Sequence, residues 1–280
     1  MNKSLILGFF DGIHKAHRAV INSAFKYSDG VILITFKQSP SMYFSQTEEY
    51  ILSRKNSIEK IKSLGVKEIV ELDFAKIAKI KAEDYIKNLV EEYKPISIST
   101  GFNHTFGYNK EGNPDLLKTL SSKYGYSYEC IQPIIENGEV VSSTLIKDYL
   151  KKGNVEYANY LLESNFILEG TVIHGAKLGR TIGFPTANIK YTENLVKLPF
   201  GAYCAKVDGK NAVMNWGMKP TVNNVVEPVA EIHILGFDGD LYGQSIRAEI
   251  LKQIRTEQKF SSLEELKTQI KRDIEVCLKL

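Results

Sequence analysis

Cysteine is scarce in this sequence, and the three cysteines lie far from one another. Cys130, Cys204 and Cys277 include no Cys-x-x-Cys pair. This spacing excludes the zinc and dithiol motifs in which two cysteines lie two residues apart. We expect all three thiols to be reduced, to serve mostly as packing residues, and to belong to a cytoplasmic protein.

Long hydrophobic runs and an excess of one charge are also absent. The apolar stretch 5–10 ends at Asp11, so it is too short for a signal peptide or a membrane-spanning helix. Lysine and arginine number 36 against 33 acidic residues, a formal net charge of +3. Because so small a charge attracts polyanions weakly, we expect neither nucleic acid nor a membrane as the main partner.

The first half of the chain alternates between strand and helix patterns. The total length of 280 residues allows two domains. Strands are predicted at 4–7, 31–36, 66–72, 96–100 and 126–132, and helices at 14–27, 53–64, 82–93 and 114–124. This alternation predicts a Rossmann-like α/β domain with a parallel sheet, a fold that binds ligands at the carboxyl ends of its strands.

After Ser164 the pattern changes to successive strands. Two short helices, predicted at 144–152 and 155–162, precede the change. Strands are predicted at 166–174, 202–207, 211–216, 229–235 and 246–254, and an amphipathic helix at 262–278. This half predicts an all-β barrel with a terminal helix. We place the domain boundary at Ser164, which gives domains 1–164 and 165–280.

Segment 170–188 combines glycines, basic residues and small polar residues between two strand patterns. Glycines let the backbone approach a ligand and leave N–H groups free for phosphate oxygens. Thr186 and Asn188 offer neutral oxygens of the kind that suits Mg²⁺. The candidate phosphate-binding residues are Gly170, His174, Lys177, Gly179 and Arg180. The alternative is a glycine-rich β-turn, but a turn does not require this set of side chains.

A second glycine loop, residues 8–12, joins the first predicted strand to the first predicted helix. His14 and His17 follow three residues apart, so they share one face of the helix start. A triphosphate can dock at a helix N-terminus, where imidazoles can donate to its oxygens. The alternatives are a structural pair and a zinc pair, for which no nearby cysteine or carboxylate completes a tetrahedral set. The loop adds the candidate triphosphate-binding residues Gly8, Phe10, Asp11 and Gly12.

Both segments resemble motifs of one enzyme family. The Pro-Thr-Ala-Asn tetrapeptide at 185–188 resembles the core of the riboflavin kinase signature. Residues 14–17 resemble the nucleotidyltransferase His-x-Gly-His motif, in the form used by bacterial bifunctional riboflavin kinase/FAD synthetases. The resemblance implies an N-terminal FMN adenylyltransferase and a C-terminal riboflavin kinase. It also implies ATP, Mg²⁺, riboflavin, FMN and FAD as ligands, and flavoproteins as acceptors of the product.

The resemblance extends to two further N-terminal segments. Residues 101–107 are similar to the family's glycine–Asn/Asp–aromatic–glycine loop, and residues 142–147 to its Ser-Ser-Thr-x-Ile-Arg motif. The residues that this resemblance implies as ATP ligands are Asn103, Ser142, Ser143, Thr144 and Lys147. The alternative for 142–144 is an ordinary helix N-cap, and both roles are compatible because a capped helix start also binds phosphate.

In the second half, the strand 230–235 resembles the one that carries the family's catalytic glutamate. The resemblance implies that Glu231 is the general base for the ribityl 5′-hydroxyl of riboflavin. It also implies that Asn215 binds the flavin and that Arg255 stacks on its ring. By position alone, Glu231 is typical of a solvated surface glutamate, with His233 as a polar neighbour on the same face. The alternative for Arg255 is a rim ion pair with Glu257.

Three positions depart from the family's motifs. Ala16 stands where the motif has glycine, Lys147 where it has arginine, and residues 35–40 lack a histidine and a proline. These departures leave open a riboflavin kinase whose adenylyltransferase site is weak or inactive. A flavin-sensing regulatory protein on the same scaffold is the other alternative. Formation of FAD from FMN and ATP tests the first alternative, and turnover of riboflavin tests the second as a sole function.

Overall fold

The computed structural model describes residues 2–45, 49–175, 178–190, 194–220 and 226–280. The chain divides into two compact units, Met1–Leu145 and Ile146–Leu280. Within the described ranges, no helix has both the length and the apolar character needed to cross a membrane.

The first unit contains a five-stranded parallel sheet. Its strands are β1 (Ser4–Leu7), β2 (Val31–Phe36), β3 (Glu68–Leu72), β4 (Ser97–Gly101) and β5 (Ser127–Ile131). Their order in the sheet is β3-β2-β1-β4-β5. The chain therefore reverses its direction of winding between β1 and β4, which is the position where such sheets bind ligands. The predicted α/β class and its five strands are confirmed.

Apolar side chains cover both faces of this sheet. Within β1, Leu5 and Ile6 are both fully buried and belong to two different apolar clusters, one on each face. The helices are α1 (Lys15–Phe25), α2 (Pro40–Ser45), α3 (Arg54–Ser63), α4 (Phe74–Ile77), α5 (Ala82–Tyr93) and α6 (Pro114–Tyr124). A small hairpin follows, formed by β6 (Ile135–Glu136) and β7 (Glu139–Val140). The four predicted helices are present, whereas α2 and α4 are too short to show helical periodicity in the sequence.

The second unit contains a closed barrel. Its strands are β8 (Phe166–Ile173), β9 (Ala187–Lys190), β10 (Gly201–Val207), β11 (Lys210–Pro220), β12 (Val226–Ile234) and β13 (Ser245–Thr256), in the order β10-β11-β12-β9-β8-β13. The remaining helices are α7 (Ser143–Lys151), within which the division between the units falls, α8 (Val155–Leu162), α9 (Leu178–Thr181) and α10 (Leu263–Cys277). The predicted barrel with a terminal helix is confirmed.

The prediction that all three cysteines are reduced is wrong for two of them. Cys204 on β10 and Cys277 at the end of α10 form a disulfide, whereas Cys130 is free. The two bonded cysteines are 73 residues apart in the sequence. No local motif indicates the pair, because it forms only where α10 packs on the barrel, beside Val213 and Ile274.

We predict that Cys204→Ser lowers the free energy of unfolding of the second unit. Closing a loop of 73 residues restricts the unfolded chain, an effect worth about 2–4 kcal/mol. Urea denaturation without reductant measures this difference, and Cys130→Ser is the matched control that should leave the midpoint unchanged. Coincident wild-type curves with and without dithiothreitol would contradict the prediction.

Candidate active sites

The glycine loop of the first unit lies at the carboxyl end of β1, beside the switch point. Its backbone is left-handed at Phe10 (φ 60°), Gly12 (φ 84°) and Ile13 (φ 53°). This conformation is costly for a residue with a side chain. Phe10 and Ile13 are buried in the core of the unit, so their packing holds the loop in place.

His14 is the N-cap of α1, and His17 lies in the first turn. The backbone N–H of His17 donates to His14 Nδ1 at 3.4 Å, and the two rings stack with centroids 3.7 Å apart. Because His14 Nδ1 accepts a hydrogen bond, the proton of the neutral ring resides on Nε2. The structure therefore brings the predicted histidine pair together and leaves His14 Nε2–H as a donor.

Both histidines are neutral at neutral pH. Burial, and then the positive charge of Lys60, lower the pKa of His14 to about 4. Burial, and then the neighbouring His14, hold the pKa of His17 well below its usual value. Among the described residues, no group of three histidine, cysteine or acidic side chains is arranged to hold a metal ion. The pair thus has the protonation state of hydrogen-bonding imidazoles.

Ser142 and Ser143 lie at the start of α7. Ser142 Oγ accepts from the N–H of Leu145 at 3.2 Å, so the expected N-cap is present. Ser143 Oγ donates to the carbonyl oxygen of Asp11 at 2.9 Å, and the Asp11 carboxylate accepts from the N–H of Ile51 at 2.9 Å. These contacts place the predicted serine segment against the glycine loop. Thr144 and Lys147 lie further along the same helix.

The loop after β4 carries the predicted residue Asn103, which is exposed. It also carries His104, which the sequence reasoning did not select. The His104 ring stacks on Phe106 with centroids 5.7 Å apart, and burial lowers its pKa to about 4. Its buried Nε2 atom has no hydrogen-bond partner in the part of the chain that the structure describes. In the sequence, the only signal was the presence of a histidine within the 101–107 motif.

In the barrel, the predicted kinase residues are connected by register pairs that run in one row across neighbouring strands. Glu231 on β12 pairs with Asn188 on β9 and with Asn215 on β11. Residues paired in this way point to the same face of a sheet. The row continues from Asn215 to Ala202 on β10, and from Ala202 to Arg255 on β13. Four predicted residues from four strands therefore occupy a single row.

The glycines before β9 let the loop backbone come close to Thr186 and Asn188. A Cβ atom at Gly179 would lie 3.3 Å from Thr186 Oγ1, and one at Gly175 would lie 2.9 Å from Asn188 Oδ1. Larger residues at these two positions would therefore crowd both oxygens. Thr186 and Asn188 offer neutral oxygens of the kind that suits a hard cation, and Asn188 is the register partner of Glu231, so these residues fit Mg²⁺. Lys177 lies outside the described residues, and Gly170 lies within β8, opposite Ile246.

A cavity of about 660 Å³ is lined by the same loop and by the turn after β12. Arg180 and Thr186 line it from the loop, and Asp240 and Tyr242 line it from the turn. The ring of His174 packs against Tyr242 with centroids 4.0 Å apart. The predicted residues Arg180 and Thr186 therefore face a space of the size of a small-molecule site.

Arg255 is held by the terminal helix, and its ion pair is not with Glu257. Its Nη2 and Nε atoms donate to Asp273 Oδ2 at 2.9 and 3.1 Å. Its guanidinium carbon lies 5.5 Å from the centre of the Phe260 ring. Phe260 and Gln269 also line a second cavity of about 550 Å³. Sequence reasoning missed Asp273, although an acidic residue beside the apolar stripe of α10 was a usable signal.

One glycine loop lies at the switch point of a parallel sheet, and the other lies in a closed barrel. Both suit the binding of phosphate, and together they define the class: a two-domain transferase that uses a nucleoside triphosphate. Known proteins narrow this class. The riboflavin kinase family model matches residues 162–280, and the FAD synthetase family model matches residues 1–145. The chain belongs to the bifunctional riboflavin kinase/FMN adenylyltransferase family.

Similar proteins cover nearly the whole chain. The bifunctional riboflavin kinase/FMN adenylyltransferase of Buchnera aphidicola is 34% identical, covering 99% of this chain and 93% of its own. That of Bacillus subtilis is 33% identical, covering 96% and 89%. A crystal structure described as a macrolide-efflux protein from Streptococcus pneumoniae is 29% identical with a TM-score of 0.90, covering 100% of this chain and 94% of that one.

Proposed function

We propose that this chain converts riboflavin to FMN in its second unit and FMN to FAD in its first. The observation that carries the proposal is the row of Asn188, Glu231 and Asn215 on three adjacent barrel strands. The row makes the amide oxygen of Asn188, a proposed metal ligand, a neighbour of the Glu231 carboxylate and of the Asn215 amide, groups that suit the phosphorylation of a hydroxyl. The match to both family models supports two activities over a kinase alone.

In the kinase reaction, the 5′-hydroxyl oxygen of riboflavin attacks the γ-phosphorus of ATP. The bond between that phosphorus and the bridging oxygen breaks, and ADP leaves. Glu231 accepts the hydroxyl proton, while Asn215 and Arg255 hold the flavin. The candidate phosphate ligands are Gly170, His174, Lys177, Gly179 and Arg180. Thr186 and Asn188 would hold Mg²⁺, which when bound neutralises charge on the phosphates.

In the adenylyltransferase reaction, a phosphate oxygen of FMN attacks the α-phosphorus of ATP. The bond to the bridging oxygen breaks, and pyrophosphate leaves with FAD as the product. Neutral His14 and His17 donate hydrogen bonds to the phosphate oxygens as negative charge develops there. The other ATP ligands that we propose are Gly8, Phe10, Asp11, Gly12, Asn103, Ser142, Ser143, Thr144 and Lys147. Ala16, at the glycine position of the motif, is compatible with a lower rate.

The experiment that tests this function supplies purified protein with riboflavin, ATP and MgCl₂ and separates the flavins by chromatography. FMN should appear first and FAD should follow. A parallel reaction that starts from FMN isolates the second step. FMN that accumulates without any FAD would leave only the kinase, and no turnover of riboflavin would contradict the proposal. We also propose that the protein acts in the cytoplasm and that its products pass to flavoproteins.

We predict that a fragment of residues 165–280, which lacks the first unit and also α8 of the second, folds and phosphorylates riboflavin. The reason is that the barrel strands and α10 all lie within these residues. The steady-state turnover of riboflavin by the fragment should agree with that of the full chain within a few-fold. A folded but inactive fragment beside an active full chain would contradict the proposed boundary at Ser164.

A further inference from the structure

The pairing between β9 and β12 stops just before the candidate metal residue Thr186. The last pair of the ladder joins Ala187 to Ile232. The next residues along the two strands are Thr186 and His233, which no ladder pair joins. Thr186 therefore lies one residue beyond the backbone hydrogen bonds that hold Asn188 beside Glu231.

The side chain of His233 provides a hydrogen bond at the point where the ladder ends. Its Nδ1 atom lies 2.8 Å from the carbonyl oxygen of Pro185. A carbonyl oxygen can only accept, so His233 Nδ1 carries the proton and donates. The ring of Phe184 meets the His233 ring edge to face, with centroids 5.7 Å apart and planes at 90°. His233 thus contacts the two residues that immediately precede Thr186.

A second hydrogen bond closes the other side of the same loop. The backbone N–H of Phe184 donates to the carbonyl oxygen of Gly179 at 2.7 Å. This bond fixes the loop to itself, whereas the bond from His233 fixes it to the barrel strand that carries Glu231. His233 and Glu231 are two residues apart on β12, so their side chains emerge on the same face.

We propose that His233 is a positioning residue of the kinase site. Its Nδ1–H holds the carbonyl of Pro185, and thereby sets the place of Thr186 relative to Asn188 and Glu231. This inference rests on the proposed kinase function and adds a residue that acts through the loop, without touching substrate. Loss of the bond should weaken the alignment of the nucleotide, while riboflavin binding, which relies on other residues, should persist.

The test compares two variants that differ in one hydrogen-bond donor. In His233→Asn, Nδ2 is separated from Cα by the same number of bonds as Nδ1 of histidine, so it can donate to Pro185. In His233→Phe, an aromatic ring remains to pack on Phe184, but the donor is lost. We expect His233→Phe to raise KM for ATP in riboflavin phosphorylation on the order of tenfold, and His233→Asn to stay near wild type.

Two further measurements separate positioning from general damage. FAD formation from supplied FMN is an internal control and should be unchanged in both variants. Hydrogen exchange of the backbone amides of residues 178–190 in the unliganded protein should be faster in His233→Phe than in wild type or His233→Asn. This readout does not depend on catalysis.

Each outcome bears on the inference. Wild-type KM and exchange in His233→Phe would overturn it, as would equal defects in both variants together with equal losses of thermal stability. Wild-type protein that does not phosphorylate riboflavin would overturn the proposed function and this inference together. An active wild type with an unaffected His233→Phe variant overturns only the role of His233.

Discussion

Replacing Glu231 with glutamine should lower riboflavin phosphorylation about a hundred- to ten-thousand-fold, the usual cost of losing a general base. Glutamine keeps the length and the hydrogen-bonding reach of glutamate but cannot accept the hydroxyl proton at neutral pH. Because Glu231 pairs with Asn188 and Asn215 in the strand register, the substitution should leave the fold of the row intact. Riboflavin affinity, measured by fluorescence quenching, should change little.

A matched glutamate on the same barrel controls for the change of charge. Glu169 lies on β8, where its register partner is Arg247 of β13. It lies four residues before Ile173, which is the register partner of Asn188. Glu169→Gln should therefore turn over riboflavin at nearly the wild-type rate. Unchanged turnover in Glu231→Gln would remove this residue from the mechanism, and would leave substrate alignment and charge neutralisation to carry the reaction.

The second large effect concerns His14 in the first unit. Asparagine is a good N-cap and offers an acceptor to the N–H of His17, as His14 Nδ1 does in the structure. It lacks the Nε2–H donor of the ring. His14→Asn should therefore lower FAD formation from FMN about a hundred- to a thousand-fold, the cost of one lost donor to developing charge.

The two activities of the chain control for each other in this experiment. His14→Asn should phosphorylate riboflavin at the wild-type rate, because His14 and the barrel belong to different units. His17→Ala should show the same selective loss of FAD formation. Loss of both activities, or FAD formation within a few-fold of wild type, would contradict the assignment of the histidine pair.

The low pKa of His14 also predicts how the stability of the first unit depends on pH. In the folded protein the pKa is lowered from its ordinary value of 6.5 to about 4. Between these values the unfolded chain binds a proton that the folded chain does not, so stability falls as pH decreases. The stability that this pKa shift contributes is fully present above the pKa of His14 in the unfolded chain. It is lost as pH falls through the pKa of His14 in the folded protein. Urea denaturation at pH 7 and pH 5 measures the decrease in the free energy of unfolding, which should be smaller in His14→Asn than in wild type.

The predictions from sequence were accurate where the information is local. Alternation of strands and helices indicated the parallel sheet, because each pattern reflects the burial of one short segment. The location of both glycine loops was also predictable, since glycines, histidines and small polar residues lie together in the chain. Motif resemblance proposes Glu231 as the general base, a role that its position on a strand does not indicate and that stays a prediction.

Contacts between distant segments were beyond the reach of the sequence. The disulfide between Cys204 and Cys277, the ion pair between Arg255 and Asp273, and the bond from His233 to Pro185 each join separate elements. Local patterns encode which face of an element is apolar, but not which residue of a partner element meets it. That choice depends on strand register and on how α10 packs against the barrel.

The sequence by itself therefore determined the class of each unit and the location of the loops proposed to carry its chemistry, because hydrophobic periodicity and glycine content act over a few residues. Only the tertiary structure decided that Asn188, Glu231 and Asn215 form one row. It also decided the protonation of His14, because burial lowers the pKa only once the chain has folded around the ring.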